Sequence, residues 1–395
     1  MTNSFGIFNF GSIKTIEGRG ALSVLGSEIV ALGYSSALIV TDSGVEAAGH
    51  VEAARKFLES KNIEVTVYAG VQTDPLDVMV DEGLQLLKQE KSEVVIGLGG
   101  GSSLDVAKCI STMETNEGHI MDYTRASKNP RKFLNNRIPL VLIPTTSGTG
   151  SELSPFAVIT NTKINRKSNV TSQFFLPDVV ILDGELSMTL PADWTACTGM
   201  DAITHAIEGL TIKDSILYGN KFVEVSACEA IRLISSNLRE AYAIGNNYEA
   251  RKNVMLGSHL SGGILAAGTG ASHGLANMLS KYYHVRHGDS VGMLLPYCMQ
   301  YNLIACPERF AKIAELMGEN IEGLSAIEAG QKAVDAVKKL INDINLPKLS
   351  DYIKDEKEIY EFLEESLNNS CNFSNARDIT KEAAEEIYLS AFKGS

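Results

Sequence analysis

The sequence lacks the features that take a chain to a membrane, to nucleic acid or out of the cell. Among 395 residues there are 35 basic and 48 acidic side chains, a formal net charge of −13. So acidic a chain has no general attraction for phosphate backbones or anionic lipid, and a nucleic-acid partner is not expected. The longest apolar runs, such as 94–98 and 138–144, fall far short of the ~18–20 residues that span a bilayer. No basic stretch followed by an apolar core opens the sequence, so no secretory leader is expected. The six cysteines, at 109, 197, 228, 298, 306 and 371, include no CxxC pair. That argues against a disulfide framework and a thiolate zinc site, and it fits a reducing cytoplasm. Internal repeats and low-complexity segments are absent.

What is present is an ordinary globular composition, 44% hydrophobic and 21% charged, too apolar for a disordered chain. At roughly 150 residues per domain the length predicts two domains. The first half alternates. Residues 36–41, 64–68, 93–98, 138–144 and 178–182 read as strands. Residues 44–61, 76–89 and 102–113 read as helices, and 6–17 as a small strand pair. Such alternation predicts βαβ units on a parallel sheet. From about residue 191 strand-like runs disappear. Helical spacing covers 195–211, 220–243, 248–267, 290–301, 309–316 and 325–344. The expected fold is an α/β domain with a parallel sheet, residues 1–187, followed by an all-helical domain, residues 188–395. A ligand is expected at the C-terminal ends of the strands.

Three segments carry chemistry at those strand ends. Gly99, Gly100, Gly101 and Ser102 follow a strand and open a helix. A helix N-terminus offers free N–H groups and partial positive charge, and glycine lets a phosphate approach closely. The segment reads as a pyrophosphate seat or as a tight strand-to-helix turn. The usual dinucleotide fingerprint is not met, because Leu104 stands where a third glycine is wanted. Asp42 ends the strand 36–41. Its carboxylate suits a ribose hydroxyl and repels a 2′-phosphate, or it caps a helix. The run 145–152 (TTSGTGSE) is dense in hydroxyls and backbone donors. It suits a nucleotide, or it is a loop.

Three of the seven histidines fall within 273–287. Asp201 and His205, at i and i+4 in a helical pattern, share a face. His273 and His287 are 14 apart, ~21 Å on one straight helix and too far for a shared ion at ~2 Å. Both can ligate only if the chain turns back within 281–288 (KYYHVRHG). Asp201, His205, His273 and His287 would then form a shell of three nitrogens and one carboxylate, suited to Fe²⁺ or Zn²⁺ rather than Mg²⁺ or Ca²⁺. His50, His119 and His259 stand alone and read as structural.

These motifs converge. Residues 99–108 (GGGSSLDVAK) closely resemble the GGGSxxDxAK signature of the iron-containing (group III) alcohol dehydrogenases. Segments 144–152, 176–190, 198–209, 287–296 and 375–388 resemble the same family, in order, over almost the whole chain. The resemblance implies a Rossmann-like nucleotide-binding domain and a helical metal-binding domain, an architecture shared with dehydroquinate synthase. It implies an NAD-dependent alcohol dehydrogenase or aldehyde reductase with Fe²⁺, or Zn²⁺, on Asp201, His205, His273 and His287. It implies a pyrophosphate on Gly100, Gly101 and Ser102, and a cofactor lined by Thr145, Thr146, Thr149, Ser154, Phe156, Lys167 and Leu186, with Lys167 near the nicotinamide ribose. Asp42 matches the position associated with NAD over NADP. A cytoplasmic homodimer or larger homo-oligomer is implied as well.

The sequence departs from the family at three positions. Asn277 replaces a second histidine four residues after His273, and an amide is no general acid or base near neutral pH. That leaves His284 or bulk water for the proton. Ser280 and Arg286 replace a frequent glycine and proline. With Asn277 they suggest a polar pocket rim and a small, polar or anionic primary alcohol or aldehyde. A metal- and NAD-using lyase of the dehydroquinate synthase type, and a metal-dependent hydrolase, are the alternatives.

Overall fold

The computed structural model describes residues 13–124, 127 and 129–394. They divide into two compact units, one of residues 13–146 and 150–189, the other of 147–149 and 190–394.

In the first unit, β1 (Lys14–Glu17), β2 (Ser36–Asp42), β3 (Glu64–Val71), β4 (Val94–Gly99), β5 (Leu140–Pro144) and β8 (Val179–Leu182) form one sheet. Its order is β1-β8-β5-β4-β2-β3, and every pair is parallel. The helices are α1 (Leu25–Leu32), α2 (Ser43–Ala47), α3 (His50–Glu59), α4 (Asp77–Glu90) and α5 (Gly101–Met113). The inner strands β2, β4, β5 and β8 are buried on both faces, which is why they read as continuous apolar runs. Alternate residues of β2 point to opposite sides. Leu38 and Val40 join a core with Val80 and Leu87 of α4 and Leu104 and Ile110 of α5. Ala37 and Ile39 join another with Leu25 and Ile29 of α1, Val45 of α2, and Val51 and Leu58 of α3. The result is the predicted α/β layering.

The chain passes from β2 to β3 on one side, then returns to lay β4 on the other side of β2. That reversal is a topological switch point, where open α/β sheets bind ligands outside the carboxyl ends of the strands. Asp42 ends β2 and Gly99 ends β4 on either side of it.

One local reading is corrected, one falls mostly outside the described residues, and one element is new. The helix expected over 44–61 is two helices, α2 and α3, parted at Gly49 with φ +83°. The strand pair expected over 6–17 falls largely outside the described residues, which begin at 13, and its last part is β1, which pairs in parallel with β8. An antiparallel hairpin, β6 (Phe156–Asn161) and β7 (Arg166–Thr171), was not expected. β7 reads RKSNVT, too polar for a hydrophobic search to find.

The second unit is helical, as expected: α6 (Ala192–Thr211), α7 (Lys213–Tyr218), α8 (Lys221–Ala243), α9 (Tyr248–Gly262), α10 (Ala271–Tyr283), α11 (His287–Asn302), α12 (Pro307–Leu316), α13 (Ala326–Asp343), α14 (Leu349–Tyr352), α15 (Ile359–Ser366), α16 (Ser370–Ser374) and α17 (Lys381–Lys393). One core gathers apolar residues of α6, α8, α9, α12 and α13, and a second those of α10, α11, α15 and α17. Side-chain caps set several starts: Asn220 for α8, Asn247 for α9, Thr380 for α17, and a Ser325–Glu328 capping box for α13. The helix expected over 248–267 ends at Gly262, and α11 starts at His287, three residues before the expected 290. No helix among the described residues is long and apolar enough to cross a membrane. All six cysteines are free.

Candidate metal and nucleotide sites

α6 is buried along nearly its whole length, yet it carries Asp201, His205 and Glu208 inward. At i, i+4 and i+7 they occupy one helical face. Buried ionisable groups need partners, and those partners come from α10 and α11. α10 ends at Tyr283, and His284 takes the left-handed conformation, φ 54°. After Val285 and Arg286, α11 begins. The chain thus turns back between His273 and His287, as a shared site requires.

α11 approaches α6 very closely. A Cβ on Gly288 would stand 2.1 Å from the carbonyl oxygen of Cys197, so only glycine fits beside His287. Arg286 holds the same entry. Its Nε donates to Asp289 Oδ2 (2.6 Å) and its Nη1 to Asp193 Oδ2 (2.7 Å), and the guanidinium lies over the Trp194 ring at 4.8 Å. Arg286, expected to contribute to a polar pocket rim, has its charge met by two carboxylates. Ser280 is engaged too, its Oγ donating to Val285 O at 3.0 Å. Of the three departures, Asn277 is the exposed one, one turn after His273 on the same face of α10. His284 is also exposed. It lies 11 residues beyond His273, ~16 Å of helix.

The four expected ligands meet. Nε2 of His205, His273 and His287 stand 3.7, 3.6 and 3.6 Å from Oδ1 of Asp201. None is a hydrogen bond. Two donor atoms each ~2.1 Å from one ion at a tetrahedral angle are ~3.4 Å apart, so the spacing fits a shared cation. Ligand atoms of Asp201, His205 and His273 lie within 4.8 Å of one another, and all three residues are buried. Asp201 Oδ1 and His273 Nε2 are buried atoms with no hydrogen-bond partner. The donor set, three imidazoles and one carboxylate, suits a transition metal. The His287 side chain is 42% exposed, which leaves one side of the cluster open.

Electrostatics follows the geometry. Burial would raise Asp201, but the imidazoles of His205, His287 and His273 hold it well below the usual carboxylate range. Burial pushes His205 down to about 4, so it is a neutral, ligand-ready ring. Burial works in the same sense on His273, and the Glu208 and Asp201 carboxylates outweigh it, raising it to about 10. Glu208 was passed over in the sequence. Its place at i+7 from Asp201, on the ligand face, is the signal that would have found it.

At the sheet edge, Gly99 has φ +154°, and a Cβ there would meet Ser103 Oγ at 2.6 Å, so the turn demands glycine. Gly100 is the N-cap of α5, and Gly101 and Ser102 are its half-buried first turn. The first intrahelical bond runs from Leu104 N to Gly100 O (3.1 Å), so the N–H groups of Gly101, Ser102 and Ser103 precede the ladder. Asp42 is a helix cap: Oδ1 accepts from Gly44 N and Val45 N, both at 3.0 Å. Its other oxygen accepts from Ser103 Oγ at 3.1 Å, tying the ends of β2 and β4 together. Thr145 N donates to Gly99 O at 2.9 Å, which brings Thr145 and half-buried Thr146 to the same edge. Thr149 is half-buried.

The loop that follows is set by a lysine. Fully buried Lys108 donates from Nζ to Ser151 Oγ (2.6 Å), Phe156 O (2.9 Å), Ser154 O (3.2 Å) and Ser154 Oγ (3.3 Å). Asp105 accepts from Ser151 Oγ and Val158 N. Ser154 and Phe156 are thereby fixed. Lys167 is exposed on β7, its ammonium on Asp74 Oδ1 at 2.6 Å. Leu186 is buried in the core on one face of the sheet.

Comparison with known proteins decides the family. Residues 12–184 match the iron-containing alcohol dehydrogenases, and residues 195–392 match the C-terminal part of the Fe-containing alcohol dehydrogenase family. The chain belongs to the iron-containing alcohol dehydrogenase family. A 1,3-propanediol dehydrogenase of Klebsiella pneumoniae is 39% identical over 95% of this chain and 96% of that protein. An NAD-dependent methanol dehydrogenase of Bacillus methanolicus is 34% identical over 95% and 97%. The crystal structure of a 1,3-propanediol oxidoreductase superposes with a TM-score of 0.91 at 38% identity, covering 96% of this chain and 98% of that one. Membership makes the chain an oxidoreductase that uses a metal and NAD. It does not favour the lyase or the hydrolase.

Proposed function

We propose that this iron-containing alcohol dehydrogenase family member oxidises a small, polar primary alcohol and reduces the corresponding aldehyde, with NAD(H) and Fe²⁺. Zn²⁺ is the competing ion. The observation that carries the reading is the convergence of three imidazole Nε2 atoms on one carboxylate oxygen, each 3.6–3.7 Å away. Asp201, His205, His273 and His287 would hold the ion. A bound divalent metal supplies Lewis-acid polarisation of the substrate oxygen, and NAD supplies the hydride acceptor.

The chain does the rest. Asp201 keeps its charge despite burial and offsets part of the cation's. The N–H groups at the start of α5 precede the helix ladder and suit an anion, so Gly100, Gly101 and Ser102 would seat the pyrophosphate. Asp42 accepts from the ribose and disfavours a 2′-phosphate. Thr145, Thr146, Thr149, Ser154, Phe156, Lys167 and Leu186 line the dinucleotide. Asn277 orients the substrate by hydrogen bonding and cannot carry its proton, which passes to water or to His284. We read residues 1–187 as the NAD-binding domain and 188–395 as the metal-binding domain of a cytoplasmic homo-oligomer. The polar substrate draws support from the diol named in the Klebsiella relative. Arg286, neutralised by Asp193 and Asp289, speaks against an anionic one.

The test is an aldehyde panel followed by NADH absorbance, with protein reconstituted anaerobically with Fe²⁺ and, in parallel, Zn²⁺. NADH consumed one for one with a small polar aldehyde, and only in loaded protein, is expected. Turnover without net NADH consumption, or without metal, would overturn the proposal.

A further inference from the structure

We infer that Glu208 is the positioning residue of this metal site: it holds His273 by Nδ1, so that Nε2 is the nitrogen presented to the ion, and it sets how α10 stands against α6. The inference rests on the metal reading above.

α10 has glycine at its N-cap position and no side-chain cap of its own. Its first N–H groups are met by remote side chains instead. Gly270 N donates to Glu208 Oε2 (2.8 Å), Ser272 N to Glu208 Oε1 (2.7 Å), and Ala271 N to Asn375 Oδ1 (3.1 Å). Buried helix ends need such partners. Glu208 therefore caps a helix 62 residues further along the chain. The same carboxylate also touches the ligand on that helix, since Oε2 stands 2.6 Å from His273 Nδ1. A carboxylate only accepts, so Nδ1 must carry its proton and Nε2 faces Asp201 as the ligating atom. Asp201 and His205 lie on α6 itself, two turns and one turn before Glu208. One side chain thus connects the ligands of α6 with the ligand of α10 and selects the tautomer of the latter.

No neutral side chain can do this. All three partners of Glu208 are donors, and they occupy both oxygens. A glutamine in either orientation turns an amide N–H against a backbone N–H. If its amide nitrogen faces His273, it also drives the imidazole to the opposite tautomer.

The test is a chelator competition that measures Co²⁺ and Zn²⁺ affinity of the full-length protein, with the visible Co²⁺ spectrum and NAD affinity read alongside. Glu208→Gln is expected to weaken both metals about 10–100-fold, the usual effect of losing such a partner, to alter the Co²⁺ spectrum, and to leave NAD affinity unchanged. Asn375→Ala removes the neighbouring cap without touching His273. It is expected to lower Tm while metal affinity holds. Glu208→Asp keeps the charge but withdraws it by one methylene, and an intermediate loss is expected. It also serves if Glu208→Gln does not fold. Unchanged metal affinity in the glutamine or the aspartate variant would overturn the inference. So would Asn375→Ala weakening the metal as much as Glu208→Gln, which reduces Glu208 to a helix cap. Failure of the wild type to bind either ion would instead remove the metal reading itself.

Discussion

Nε2 of His273 stands 3.6 Å from Oδ1 of Asp201, and neither buried atom has a hydrogen-bond partner. Two such groups are costly to bury apart. Their separation is too long for a hydrogen bond and right for a shared ion. Metal should therefore stabilise the fold. At free metal about 100 times Kd the gain is ~2.7 kcal/mol. We expect chelation to lower the Tm of the wild type. His273→Ala should retain no metal and show no chelator effect, while its NAD affinity and circular dichroism stay close to wild type.

Asp42 serves the fold and, we propose, cofactor choice. Its Oδ1 caps α2. Glycine is a tolerable N-cap, costing only a few tenths of a kcal/mol, whereas alanine costs about 1 kcal/mol. Asp42→Gly should lower Tm modestly, because it also takes the acceptor from the buried Ser103 hydroxyl, and raise the NADPH-to-NADH ratio of kcat/KM at least tenfold, which is ~1.4 kcal/mol. An unchanged ratio would confine Asp42 to its capping role.

Lys108 is fully buried, and burial pushes its ammonium below its ordinary pKa while Asp105 pulls it back. Lys108→Met strands Asp105 and the loop oxygens of Ser154 and Phe156. Breaking a buried pair from one side costs about 3–5 kcal/mol. We expect a clear fall in urea midpoint and a raised KM for NAD, with metal content intact by elemental analysis.

Arg286 joins α11 to the start of α6 through Asp193 and leaves fully buried Asp289 without a cation when removed. Arg286→Ala should destabilise by about 2 kcal/mol. Because its charge is already met, kcat/KM should fall by the same factor for charged and neutral aldehydes. A selective loss on anionic aldehydes would restore it as a substrate contact.

Much of the fold was legible because it is locally encoded. β2, β4 and β5 are short apolar runs, and α4, α5, α6 and α8 show their buried faces in their spacing. What was misread depended on few residues or on none. Gly49 splits one apparent helix into α2 and α3 through a single backbone angle. β7 holds its place through pairing with β6 rather than through hydrophobic pattern. Asp42 stayed open between ribose contact and helix cap, and the structure shows the cap.

The order of residues by itself determined the element types, the family, and the pairing of Asp201 with His205, since groups four apart on a helix must share a face. Only the tertiary structure decided that His273 and His287 close on that pair, that Glu208 holds the start of α10, and that Arg286 is spent on two aspartates. Helical period reports neighbours three or four positions away. Contacts between α6, α10 and α11 join residues some 64 to 91 positions apart, and those are set by how whole helices bury their apolar faces against one another.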